Sequence, residues 1–228
     1  MTSIQEDIMK ESFRDEGVKH GYERVNAEYT AYRDFKVRWT RTNRWIEFHV
    51  SDYLSDAPKE VIDSLVGTLY SKICGSDTIP YTKAMRDWAT SETFVYNKQP
   101  IYLKRSRGLT KSSEGKHRDL KDSFRRLIDK GLVKEPRRIF LSWTNDEYSS
   151  RVGYCSTLME VIAISSAFDD PFIPDDVLDY AVYHEYLMIS EGKKHFGEDY
   201  NIDTVELERK FPGWKEAEEW IGRMGLTL

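Results

Sequence analysis

Apolar and polar residues alternate along the chain between residues 35 and 50. In the first part Phe35, Val37 and Trp39 take every second position, and after a short polar break the alternation resumes through residues 45–50. A period of two is typical of a β-strand with one buried face, and the polar break suits a turn between two strands. These residues predict a β-hairpin.

A spacing of three to four residues between apolar positions predicts helices elsewhere. The clearest case follows Pro58 and ends at Gly75, with one apolar face made of Val61, Ile62, Leu65, Val66, Leu69 and Ile73. Further helices are predicted at residues 3–16, 80–89, 120–131, 175–188 and after Trp214. The first of these is polar, and we expect it to be loosely attached. Short apolar runs predict strands at residues 138–143, 152–157 and 159–165.

The segment 104–117 is basic and rich in glycine and serine, which is typical of a linker. We therefore expect two parts. The first is an N-terminal region over residues 1–110, with the hairpin and the helix after Pro58. The second is a domain over residues 117–228 that runs helix, strands, helix, helix.

Composition excludes several classes of protein. Hydrophobic residues make up 39% of the chain and charged residues 32%, as in an ordinary globular protein, and the net charge of −5 gives no overall attraction to nucleic acid or anionic lipid. No apolar run approaches the roughly 20 residues that span a bilayer. The two cysteines, Cys74 and Cys155, are far apart and favour a reducing compartment, so we expect a cytoplasmic protein without contact to membranes. Cys155 lies in a predicted strand and is expected to be a buried thiol.

The stretch from Tyr183 to Met188 carries the most informative chemistry. His184 and Glu185 are the first two positions of the pattern H-E-x-x-H, in which two histidines one helical turn apart hold Zn²⁺ and the glutamate acts as general base. Zinc lowers the pKa of its bound water and so makes a nucleophile at neutral pH. Here Met188 occupies the position of the second histidine, and a thioether suits Cu(I) better than Zn²⁺.

The sequence around this pair, from His117 to Trp220, resembles the SprT-like and YgjP-like family of gluzincin-type zinc metallopeptidases. Five stretches carry the resemblance in order: His117-Arg-Asp-Leu-Lys-Asp-Ser-Phe-Arg-Arg-Leu127, Ile139-Phe-Leu-Ser-Trp143, Arg151-Val-Gly-Tyr-Cys-Ser156 with Val161-Ile-Ala-Ile-Ser165, Val177-Leu-Asp-Tyr-Ala-Val-Tyr-His-Glu185, and Glu206 to Trp220.

The resemblance implies an α+β fold, in which a small mixed or antiparallel sheet packs on the helix that bears His184, with an N-terminal α/β extension. It also implies zinc and peptide-bond hydrolysis, with His184 as the first metal ligand and Glu185 as the general base. The chain departs from the family at Met188. The family's third ligand, a histidine, would fall near residues 199–201, where His195 and Asp199 are the nearest replacements. A catalytic zinc needs about three protein ligands, so we expect an incomplete site with weak or no peptidase activity.

Three functions remain open from the sequence. The first is a metallopeptidase with an altered zinc site made of His184, His195 and Asp199. The second is a pseudoenzyme that binds a protein or peptide, for example by strand addition beside the helix. The third is nucleic-acid binding through residues 104–138, where thirteen Lys or Arg stand against five Asp or Glu. The residues named for this third function are Arg105, Arg107 and Lys111.

Overall fold

The computed structural model describes residues 3–75, 77–134, 138–145, 150–198 and 203–228. Over these ranges the protein is α+β, with two three-stranded sheets and eight α-helices. The helices are α1 (Ser3–Lys19), α2 (Lys59–Cys74), α3 (Lys83–Ala89), α4 (Glu92–Arg105), α5 (Leu120–Asp129), α6 (Asp175–Lys194), α7 (Val205–Glu208) and α8 (Trp214–Arg223). The strands are β1 (Arg24–Thr30), β2 (Val37–Arg41), β3 (Trp45–Ser51), β4 (Phe140–Trp143), β5 (Gly153–Ser156) and β6 (Val161–Ile164).

The chain divides into two compact units between Ser91 and Glu92, and residues 197–198 group with the first unit. This division lies upstream of the linker predicted at residues 104–117. The difference arises because that segment packs within the second unit: Leu109 is buried and pairs with Thr144, and the N–H of Thr110 donates to the carbonyl of Trp143 at 3.0 Å.

The first unit contains the predicted hairpin and one strand that the pattern did not indicate. Strands β2 and β3 pair antiparallel, which confirms the hairpin, and β1 adds in parallel to the other side of β3. Alternate residues of β3, namely Ile46, Phe48 and Val50, are fully buried. Each such side chain contributes about 1.5–3 kcal/mol by leaving water, so the hairpin is held by its inner face.

Helix α1 is present as predicted, but the expectation that it is loosely attached is wrong. Met9 and Phe13 are completely buried, and the ring of Phe13 lies 4.5 Å from that of Phe48. The carbonyl of Phe13 also accepts a buried hydrogen bond of 3.0 Å from the hydroxyl of Tyr70 on α2. Two apolar residues at a spacing of four are enough to dock an otherwise polar helix.

The second unit is built around β6, whose four residues are all buried. Strand β4 pairs with β6 in parallel and β5 pairs with it antiparallel, so the sheet is mixed and has the order β4-β6-β5. The strands predicted at residues 138–165 and the helices predicted at 120–131, 175–188 and after Trp214 are confirmed. Helix α4 was not predicted, because Pro100 lies inside it and its apolar residues form no continuous face.

Helices α5 and α6 are joined by a buried carboxylate. Asp179 on α6 is completely buried and accepts hydrogen bonds from the hydroxyl of Ser123 at 2.6 Å and from Arg126 Nη2 at 2.6 Å. A buried charge is tolerated only when it is paired in this way. The contact fixes how α6 is rotated, and thereby how His184 and Glu185 are presented.

Candidate functional site

Helix α6 carries the His-Glu pair and is anchored along its length. It packs against β5 and β6 of the sheet and against α5, α7 and α8. Two aspartates lie in its first turn and two lysines in its last turn, so charges at both ends are favourable to the helix dipole. His184 and Glu185 therefore lie in the middle of a 20-residue helix that is packed on several sides.

His184 is bound to a carboxylate that the sequence analysis did not single out. Its Nδ1 donates to Oε1 of Glu208 at 2.8 Å, and the hydroxyl of Thr204 donates to the same oxygen at 2.5 Å. The side chains of His184 and Glu208 are 15% and 10% exposed. Glu208 lies on α7, within the stretch from Glu206 to Trp220 that resembles the closing segment of the family. Its spacing of four from Thr204 is the local signal that could have pointed to it.

The pKa values of this pair move in opposite directions. Burial alone would lower the pKa of His184, but the hydrogen bond to Glu208 and the charges of Glu185 and Glu208 outweigh it and raise the pKa. The hydrogen bond from His184 lowers the pKa of Glu208, with a further contribution from Thr204 and against the effect of burial. Both shifts favour the imidazolium–carboxylate form of the pair, whose side chains are largely shielded from water.

Glu185 is buried beside Cys155. Burial raises the pKa of Glu185, and this is partly offset by the charge of His184, the hydrogen bond from Cys155 and the charge of Arg151. Burial also raises the pKa of the Cys155 thiol, and the nearby Glu185 raises it further. The thiol therefore stays protonated and donates to the carboxylate. Cys155 itself is only half-buried, less than the buried thiol that the sequence predicts.

A second carboxylate extends the polar cluster around α6. The hydroxyl of Tyr180 donates to Oε1 of Glu218 at 2.9 Å, and burial together with this hydrogen bond raises the pKa of Tyr180. Tyr180 also contributes a hydrogen bond that lowers the pKa of Glu208. We refer to Tyr180, His184, Glu208 and Glu218 as the α6 cluster.

The donors near His184 do not fit a zinc site with three protein ligands. Met188 lies one turn further along α6, and His195 directly follows the helix, where its N–H donates to the carbonyl of Glu191 at 3.0 Å. Across the residues that the structure describes, no three His, Cys, Asp or Glu side chains are grouped so that they could hold a metal ion. Asp199, the remaining candidate, lies outside the described residues. With Nδ1 bonded to Glu208, His184 could offer a metal only its Nε2, which is one donor where a catalytic zinc needs about three.

Part of the basic charge in residues 104–138 is paired within the second unit. Four side chains form ion pairs: Arg118 with Asp175 at 2.5 Å, Arg125 with Asp122 at 2.9 Å, Arg126 with Asp179 at 2.6 Å, and Lys130 with Asp176 at 2.9 Å. In addition, the carboxylate of Asp169 accepts the backbone N–H groups of residues 116–118. These contacts give the segment a structural role.

The three residues named for nucleic-acid binding do not share one element. Arg105 is half-buried at the end of α4, whereas Arg107 and Lys111 are exposed in the loop that follows. Lys111 has a left-handed backbone with φ of 62°. Nucleic-acid binding through these residues stays a prediction.

The chain matches no protein-family profile, no curated protein and no solved structure. Among the helices in the described ranges, none has both the length and the apolar character needed to traverse a bilayer.

Proposed function

We propose that this chain is a SprT-like metallopeptidase homologue in which a hydrogen-bonded cluster stands in place of the zinc centre, and that it binds extended peptides without hydrolysing them. The observation that carries the proposal is that both members of the His-Glu pair have protein partners. Nδ1 of His184 bonds to Glu208 at 2.8 Å, and Glu185 accepts a hydrogen bond from Cys155.

These contacts work against metal-assisted hydrolysis by the chain's own residues. A protonated imidazole has no lone pair to offer a metal, and the ion pair with Glu208 favours the protonated form of His184. A general base must reach the proton of an attacking water, whereas Glu185 is only 5% exposed and already accepts a hydrogen bond from Cys155.

The binding part of the proposal rests on the sheet of the second unit. Both outer strands, β4 and β5, are only four residues long and pair with β6 on one side. A strand at the edge of a sheet presents backbone donors and acceptors to which an extended peptide can add. In this proposal, peptide binding is the part of a peptidase's function that the chain keeps.

The test compares zinc content and peptide hydrolysis in protein purified without a metal-affinity tag. We expect substoichiometric zinc in the wild type, no change in zinc content in His184→Ala, and no hydrolysis of unfolded casein with or without added zinc. Met188→His restores the second histidine position and is expected to increase zinc uptake, with Met188→Leu as the matched control that keeps the volume of the side chain.

Stoichiometric zinc in the wild type that is lost in His184→Ala, together with casein hydrolysis that is lost in Glu185→Gln, would contradict the proposal. Circular dichroism of each variant separates these results from unfolding.

A further inference from the structure

The outer edge of β4 has a free stretch. On its inner side, the N–H of Phe140 donates to the carbonyl of Glu160 and the N–H of Thr144 donates to the carbonyl of Ile164, both at 2.8 Å. Because successive residues of a strand direct their backbone groups to opposite sides, Leu141 and Trp143 face away from β6. These two residues form the outer edge.

One end of this edge is already paired by the chain itself. The N–H of Thr110 donates to the carbonyl of Trp143 at 3.0 Å, and the N–H of Trp143 donates to the carbonyl of Ser112 at 3.2 Å. The adjoining bridge between Leu109 and Thr144 is antiparallel. The loop therefore already pairs antiparallel with the half of the edge that contains Trp143. The half that contains Leu141 is left.

The other half of the outer edge of β4 begins where the loop of residues 109–112 turns away from the strand. Lys111 has a φ of 62°, and beyond Ser112 the described residues of the loop make no further backbone–backbone hydrogen bond to β4. The carbonyl of Ser113 still accepts a hydrogen bond from the side chain of Trp143 at 2.8 Å. Across the described ranges, no backbone group hydrogen-bonds to the outer N–H and C=O of Leu141. The edge is open at this residue.

A groove of about 350 Å³ lies along this open half. Its lining includes the apolar side chains of Ile139 and Leu141, together with the exposed side chains of Lys111, Glu114 and Lys121. A mixed apolar and polar lining beside free backbone groups suits an extended chain.

Charge at the groove favours an acidic occupant. The groove is lined by two lysines, Lys111 and Lys121, and by two carboxylates, those of Glu114 and Asp119. The carboxylate of Asp119 caps α5 by accepting the N–H of Lys121 at 2.9 Å, so part of its charge is offset by the start of the helix, and the two ammonium groups are left in modest excess.

We propose that this groove binds an extended acidic peptide, which adds antiparallel to β4 beside Leu141 and places a carboxylate near Lys111 and Lys121. The inference rests on the proposed peptide-binding function and names its surface, but it uses no residue of the α6 cluster. A peptide residue opposite Leu141 would make two backbone hydrogen bonds with it. So few hydrogen bonds are consistent with weak, reversible binding.

The experiment uses the full ¹⁵N-labelled chain and three heptapeptides that alternate valine with glutamate, glutamine or lysine. The glutamate peptide is expected to bind most tightly. At saturation, hydrogen exchange of the Leu141 amide slows by about tenfold or more, because the amide becomes hydrogen-bonded. The Phe140 amide is already bonded to Glu160 and serves as the internal control, with unchanged exchange.

Charge variants test the position of the peptide. Lys121→Glu is expected to weaken binding of the glutamate peptide by about fivefold and to favour the lysine peptide. Lys111→Asn is expected to weaken binding of the glutamate peptide by about threefold, since asparagine removes the charge and tolerates the left-handed backbone. Lys104→Glu makes the same charge change on α4, outside the groove, and is expected to leave binding unchanged.

Two results overturn the inference: no binding of any of the three peptides to a folded protein, or binding that leaves exchange at Leu141 unaltered. Competition by single-stranded oligodeoxynucleotide that is lost in Lys121→Glu also overturns it, in favour of nucleic acid. Zinc-dependent hydrolysis of casein would refute the proposed lack of catalysis, while protection at Leu141 would still support the groove, so the two failures are distinguishable.

Discussion

Replacing Glu208 by glutamine removes the negative charge next to His184 while keeping the shape of the side chain. The two atoms that bond, His184 Nδ1 and Glu208 Oε1, are 2.8 Å apart, and both side chains are at least 85% removed from solvent since they are 15% and 10% exposed. A hydrogen bond between charged groups contributes about 1.5–3 kcal/mol. We therefore expect Glu208→Gln to lower the free energy of unfolding by about 2 kcal/mol near pH 5.5.

The effect must depend on pH in a defined way. The pKa of His184 is raised in the fold, so its contribution is fully present below its unfolded pKa of about 6.5 and is lost as the pH rises through the folded pKa. The pKa of Glu208 is lowered, so its contribution is present above its unfolded pKa of about 4.3 and is lost as the pH falls through the folded pKa. The pair stabilises most between about pH 4.3 and 6.5.

Urea unfolding of the wild type, Glu208→Gln, His184→Ala and the double variant measures the coupling between the two residues. We expect a coupling energy of about 2 kcal/mol near pH 5.5 that falls to less than half near pH 9. Glu206→Gln is the matched control, because Glu206 lies on the same short helix and is 81% exposed. A coupling energy that is equal at both pH values would refute the ion pair and leave only a neutral hydrogen bond.

Three further predictions follow from other contacts. Asp179→Ala should lower the free energy of unfolding by about 3–5 kcal/mol, because it leaves a buried hydroxyl and a guanidinium without their partner. Gly115→Ala should cost about 2 kcal/mol, since a Cβ at this position would lie 2.6 Å from a carboxylate oxygen that holds the adjoining loop, whereas Gly108→Ala meets nothing within 4 Å and should be close to neutral. With a thiol-specific reagent, the exposed Cys74 should react rapidly and Cys155 slowly, because burial raises the pKa of its thiol.

Each of these predictions has a control. Asp176→Ala removes an exposed carboxylate that pairs with Lys130 and should change the free energy of unfolding by less than about 1 kcal/mol. Equal losses for Asp179→Ala and Asp176→Ala would mean that the buried contact is not stronger than the exposed one. Equal rates for the two thiols in folded protein would contradict the burial of Cys155, and urea should make the rates converge.

Local patterns in the sequence were sufficient for most of the elements. The apolar face from Val61 to Ile73 predicts α2, the alternation before and after residues 42–43 predicts β2 and β3, and the run at residues 161–164 predicts β6. These elements follow from a period that is visible within one segment. Helix α4 shows the limit of that approach, because Pro100 interrupts the local pattern while the helix continues.

The candidate site divides in the same way. The sequence by itself identified His184 and Glu185 on a helix and Met188 one turn later, because their spacing is local. Only the tertiary structure brought Glu208 to His184, from 24 residues further along the chain.

The same distinction applies to the larger features of the fold. The sequence alone showed that residues 104–138 are rich in basic charge, but not that helix α6 supplies aspartates for several of them. It predicted α1 and the hairpin, but not that Phe13 packs on Phe48 or that β1 pairs in parallel with β3. A single segment fixes its own dihedral preferences and the face that it buries, whereas pairing between distant segments depends on which buried faces and charges meet when the chain folds.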